Sequence, residues 1–171
     1  MKALRYGLFL VIVVAIASVV IAQTKESAGL SSPAATMNHP HKVLDPANLE
    51  WGDPPPGLPP GAKVAVLSGD PAKKGVFTVR MRAPTGYKIL PHRHLVAEHI
   101  TVLSGSFHMG TGEKFDESAG HRMSPGSFMA MPAGQTHFAW TTEESVIQVH
   151  AEGPFEIVYV NPADDPRNAK K

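Results

Sequence analysis

The chain has no cysteine among its 171 residues. That excludes disulfides, thiolate metal ligands and a lipid anchor on a cysteine, so an exported domain built from it depends on its core and any bound metal. It also lacks a charge imbalance. The net charge is +1, which gives no field pointing to nucleic acid or to an acidic surface. Clear helix patterns are missing, whereas 16 prolines and 15 glycines favour short strands joined by tight turns. Only one long apolar run is present, and it lies at the N-terminus.

That run follows Lys2 and Arg5 and extends from Tyr6 to Ile21. Val20 and Ala22 occupy the −3 and −1 positions of a signal-peptidase site before Gln23. An uncleaved anchor is the alternative, but the run falls a little short of the ~20 residues a spanning helix needs. Residues 1–22 are therefore expected to be a signal peptide. The protein is expected in the bacterial periplasm or outside the cell, with membrane contact only if the segment stays uncleaved. Residues 23–45 are small, polar and aperiodic, as in a flexible linker. His39 and His41 form an H-x-H there and read as solvated, since a flexible segment gives them no fixed geometry. Residues 46–171 form the expected folded domain, with the proline-rich stretch 53–61 as a rigid extended lead-in. Apolar content of 43% and charged content of 18% suit one globular domain.

From Ala62 onward the chain repeats one theme, β-prone runs separated by glycine and proline. The runs 62–69, 75–83, 87–94, 98–110, 121–131, 137–142, 145–153 and 154–160 read as strands of an all-β barrel or jelly roll. Residues 95–103 also suit a helical face, but the β-branched run Ile100-Thr101-Val102 favours strand.

His92 and His94 stand at i and i+2 of one such run. On a strand these positions share a face with Cα atoms ~6.5–7 Å apart, so two imidazoles can converge on one ion. Glu98 follows four residues later, ~13 Å away along a straight strand. It reaches the same ion only if Leu95-Val96-Ala97 turns the chain. His137 follows a Pro132-Ala133-Gly134 turn that can aim it inward. Helical zinc motifs fail: H-E-x-x-H is absent, and H-x-x-E-H requires a shorter gap than His94 and Glu98 have.

Taken together, these two segments resemble the cupin superfamily. Gly86, five residues, His92-Arg93-His94, three residues, Glu98, six residues and Gly105 reproduce its first motif. Gly126, five residues, Pro132-Ala133-Gly134, two residues and His137 reproduce its second, with Thr141 where the family often has asparagine. The resemblance implies a single-domain cupin jelly-roll β-barrel (double-stranded β-helix). It also implies that His92, His94, Glu98 and His137 ligate one divalent ion, which could be Fe, Mn, Ni, Cu or Zn. It implies an enzyme of dioxygenase, isomerase or decarboxylase type acting on a small oxygenated organic molecule. The alternative is a non-catalytic binding or sensing cupin with a structural metal. A homodimer is the default by resemblance, and no nucleic-acid partner is expected.

Around that core, His99 reads as outward-facing and Trp140 as packing. Val146, Gln148 and His150 share one face of a strand, either lining the cavity or on the outside of the sheet. Arg80, Arg82 and Tyr87 are candidates for an anionic substrate, with solvent exposure the alternative for at least one arginine. Met81, Met109, Met129 and Met131 read as core or as an apolar pocket wall.

Overall fold

Alternating apolar residues, interrupted by turn-forming Gly and Pro, yield ten short strands. The computed structural model describes residues 41–169, so the expected signal peptide, most of the linker and His39 lie outside the described residues. The strands are β1 (Lys63–Ser68), β2 (Gly75–Ala83), β3 (Lys88–Arg93), β4 (Glu98–Ser104) and β5 (Phe107–Thr111). They continue with β6 (Gly120–Met123), β7 (Phe128–Met131), β8 (His137–Thr141), β9 (Ser145–Gly153) and β10 (Val158–Tyr159). Two five-stranded antiparallel sheets result, in the orders β1-β2-β9-β4-β7 and β10-β3-β8-β5-β6. This is the all-β jelly roll expected from the strand pattern. Residues 95–103, open to a helical reading, form a bend followed by β4.

Three expected strands differ in detail. The run 98–110 is two strands, because Gly105 at φ +82° turns the chain between β4 and β5. The run 121–131 is likewise split at Pro125-Gly126, where Gly126 has φ +87°. The run 154–160 pairs only at Val158 and Tyr159, because its earlier backbone groups bond elsewhere. Phe155 N–H donates to the Pro71 carbonyl at 2.8 Å, and the Glu156 carbonyl accepts from a histidine ring at 2.7 Å.

The core is built from rows that cross the strands. In the first sheet Met81, Ile147 and Val102 stand side by side, then Val79, Val149 and Ile100, then Phe77, Ala151 and Glu98. In the second sheet Ile89, Ala139 and Met109 form one row, and His92 and His137 pair in another. Pleating sends each row to the interior. A carboxylate therefore ends an apolar row of one sheet, and an imidazole pair stands in the other.

The proline-rich lead-in is fastened to this barrel. Tyr87 Oη donates to the Pro59 carbonyl at 2.6 Å, and Tyr159 Oη donates to the Gly57 carbonyl at 2.9 Å. Gly52 exchanges backbone hydrogen bonds with Val64 of β1.

Gly86 and Gly105 both have positive φ, but a Cβ on Gly86 would meet nothing within 4 Å, whereas one on Gly105 would collide with the backbone of Glu144 and Ser145. Gly86→Ala is therefore expected to cost only the left-handed backbone penalty of about 1–2 kcal/mol. Gly105→Ala should cost clearly more, and urea denaturation of the two variants checks the order.

Candidate metal centre

Each donor side chain is placed by a different local device. In β3 the pairing register shifts between Ile89 and His92, so both point inward although three positions apart. His94 follows at the strand's end. The chain then bends at Leu95-Val96 and crosses to the facing sheet, where Glu98 opens β4. His137 opens β8 directly after the Pro132-Ala133-Gly134 turn. The Gly134 N–H donates to the His94 carbonyl at 2.8 Å, tying the two turns together.

The four side chains meet between the sheets. His92, His94, Glu98 and His137 are 3%, 5%, 7% and 1% exposed. One ring nitrogen from each histidine lies within 4.8 Å of the others, so His92, His94 and His137 could hold a metal ion. A Glu98 Oε2 oxygen lies 3.4 Å from His137 Nε2 and 3.8 Å from His94 Nε2.

The orientation of the rings tests whether a cation fits. His92 Nδ1 faces the Leu90 carbonyl at 2.8 Å, His94 Nδ1 the Glu156 carbonyl at 2.7 Å and His137 Nδ1 the Gln135 carbonyl at 3.0 Å. A carbonyl oxygen only accepts, so each Nδ1 carries the proton and donates. The neutral ring then leaves its Nε2 lone pair aimed at the common centre, as a metal requires. Burial, with His137 and His94 adjacent, holds His92 well below the usual imidazole range. Burial also lowers His94, although Glu98 opposes that shift. Three rings with Nδ1 turned away to carbonyls, two of them with Nε2 turned toward a carboxylate, suit a divalent ion, and the residues fit.

The donors line a cavity of about 1020 Å³ between the sheets. Its walls include Val79, Met81, Ile100, Phe107, Met109 and Val149. Met81 and Met109 are thus pocket wall. Met131 packs in the core, and Met129 packs against it half-buried.

The other candidate residues stand elsewhere, and their proposed part in the cavity is corrected. Gln148 and His150 face outward from β9, because the inward rows take Ile147, Val149 and Ala151. There His150 Nδ1 lies 2.9 Å from Thr78 Oγ1, and Arg80 Nε donates to Gln148 Oε1 at 3.0 Å. Arg82 lies over the Trp51 ring at 4.3 Å. Tyr87 is buried in the core and spends its hydroxyl on Pro59. Neither Arg82 nor Tyr87 lines the cavity.

Three expectations for the surroundings agree with the observed positions. His99 stacks on exposed Phe128 outside the barrel, Trp140 packs against His108 and Phe115, and His41 is exposed. Phe155 was not anticipated. It stacks on His94 at 4.0 Å between ring centroids and closes one side of the centre. Nothing in its local sequence distinguishes it from any other strand aromatic. Equally, the lead-in over 53–61 proves to be part of a cavity wall through Asp53, Pro55, Pro56, Gly57 and Leu58, and not merely a spacer.

Residues 39–156 match the family described as the ChrR cupin-like domain. The structure resembles the polyketide cyclase RemF from Streptomyces resistomycificus, at 19% identity and a TM-score of 0.61, covering 74% of this chain and 90% of that one. It also resembles a putative acetylacetone dioxygenase from Methylibium petroleiphilum, at 17% identity and a TM-score of 0.56, covering 74% and 85%. A third likeness is the DMSP lyase DddQ from Ruegeria pomeroyi, at 20% identity and a TM-score of 0.53, covering 68% and 63%. At these identities the likeness concerns the fold. A search of curated proteins finds no match.

The lowered His92 pKa has a consequence for the metal-free protein. In the unfolded chain this ring takes up a proton below its ordinary value of 6.5, while the folded protein keeps it neutral. The unfolded state therefore binds more protons below that value, and stability falls with acid. The metal-free protein is expected to melt lower at pH 5.5 than at pH 7.5. Thermal unfolding of His92→Gln should show a smaller difference.

Proposed function

The chain belongs to the ChrR cupin-like domain family, and on that premise we propose that it is an exported metal-dependent enzyme. His92, His94, Glu98 and His137 hold one divalent transition-metal ion, and the reaction is of dioxygenase, isomerase or decarboxylase type on a small oxygenated organic molecule. The observation that carries this reading is the convergence of three imidazoles and a carboxylate on the wall of a large cavity. A purely structural ion needs no such space beside it. Likeness in fold to a cyclase, a putative dioxygenase and a lyase supports an enzyme but does not choose among these reactions.

A bound divalent ion would supply Lewis acidity and a template for oxygen donors. The protein's own groups do the rest. The carbonyls of Leu90, Gln135 and Glu156 fix the three ring orientations. Phe155, stacked on His94, limits the approach of water from its side. Glu98 brings a negative charge from the opposite sheet to within 3.4 Å of His137 Nε2. Export follows from the leader over 1–22, and pairing into a homodimer is the arrangement we expect in solution.

Protein purified without chelators should carry close to one metal ion per chain. His94→Ala should abolish that stoichiometric metal and lower the melting temperature of the metal-loaded form alone. Equal melting of the wild type with and without metal would contradict the ligand set. Secreted material should begin at Gln23 by intact mass, and an unprocessed mass would contradict cleavage. The enzyme reading requires turnover of at least one member of a diketone, flavonol, thiol-acid, sugar and dicarboxylate panel after loading with Fe, Mn, Ni, Cu or Zn. Tight metal binding without any turnover would favour the sensing alternative.

A further inference from the structure

The cavity wall restricts what the site can receive. Among the described residues that line it, there is no lysine and no serine, threonine, asparagine, glutamine or tyrosine. The one arginine is Arg167, and its charge is already paired with a carboxylate. Nε and a terminal nitrogen donate to the Asp165 carboxylate at 2.6–3.1 Å, and that terminal nitrogen also reaches the Ile157 carbonyl at 2.9 Å. Carboxylates are more numerous along the lining. Glu50, Asp53, Asp70 and Glu156 join Glu98. Lysines pair with two of them, Lys63 with Asp53 at 2.6 Å and Lys73 with Asp70 at 2.9 Å.

Two substrate classes are disfavoured by this wall. A carboxylate, phosphate or sulfonate would be desolvated with no free cationic side chain to meet it, beside several anionic ones. A sugar would bury many hydroxyls against aliphatic and aromatic carbon, each losing its hydrogen bonds to water. The arginines that suggested an anion, Arg80 and Arg82, do not line the cavity and are spent on the Gln148 side chain and on the Trp51 ring.

We propose that the site selects a neutral, largely apolar organic molecule whose few polar atoms are oxygens gathered at the histidine–glutamate centre. The assignment of those oxygens rests on the metal reading above, whereas the selection for a neutral apolar body rests on the wall alone. Val79, Met81, Ile100, Phe107, Met109 and Ile147 would contact that body. A cavity of about 1020 Å³ has room for a molecule of two or three fused or linked rings.

A matched pair of fluorescent probes tests the wall. N-phenyl-1-naphthylamine is neutral, and 1-anilinonaphthalene-8-sulfonate adds a sulfonate to the same frame. Titration of the full chain, metal-free and metal-loaded, should show the neutral probe binding at least tenfold more tightly in the metal-free form. Val66 lines the mouth and is 50% exposed, so Val66→Lys should fold normally and place a cation there. That variant should reduce the preference to threefold or less. Equal or tighter binding of the sulfonate to the wild type, no binding of the neutral probe, or an unchanged preference in Val66→Lys would each overturn the proposal. Metal content of the same samples reports separately on the ligand set. Loss of that reading would leave the metal-free preference standing, and a reversed preference would leave the metal stoichiometry standing.

Discussion

Three imidazoles and a carboxylate are buried between two apolar sheets, and the surrounding structure answers to the cost of desolvating them. Burial disfavours the charged form of His92 and His94, and the neighbouring His137 ring disfavours it further. The protein orients all three rings with backbone carbonyls from three separate segments, at Leu90, Gln135 and Glu156. A buried carboxylate then faces the rings of His94 and His137. That combination is costly when empty and is offset when a cation completes it.

The same constraint explains the non-ideal pieces of the barrel. The register shift in β3 puts His92 beside His137, and the bend at Leu95-Val96 carries Glu98 to the opposite sheet. The short extent of β10 frees the Glu156 carbonyl to orient His94 and lets Phe155 cover that ring. Each irregularity forfeits ladder hydrogen bonds and gains a positioned donor. Bulges and breaks near functional sites commonly serve this purpose.

The proline-rich segment and the two buried tyrosines form a second tier. Prolines at 54–56 and 59–60 cannot join a central sheet, yet they supply carbonyls and a rigid wall at low entropic cost. Tyr87 and Tyr159 hold that wall by Pro59 and Gly57. Burial raises both phenols well above their ordinary range, so they remain neutral donors. The wall's composition is apolar with an acidic fringe.

Most of the architecture was legible in the chain itself. Turn residues marked the strand boundaries from Ala62 onward, and the resemblance of two segments to the cupin motifs picked out His92, His94, Glu98 and His137, which the fold brings together. The strands and the shared face of His92 and His94 follow from local rules, since turn chemistry and strand periodicity act over a few residues. Facing and partnership depend on contacts far apart in sequence. Period-two alternation put Gln148 and His150 on one face of β9, but only the pairing of β9 with β2 and β4 made that face the outer one. Arg82 and Tyr87 were plausible pocket residues until Trp51 and Pro59, more than twenty residues away, claimed them. Sequence by itself determined the strands and, through the motif resemblance, the four side chains that converge. Tertiary structure decided what surrounds the donors, because a cavity wall is assembled from rows that cross strands and no single segment contains one.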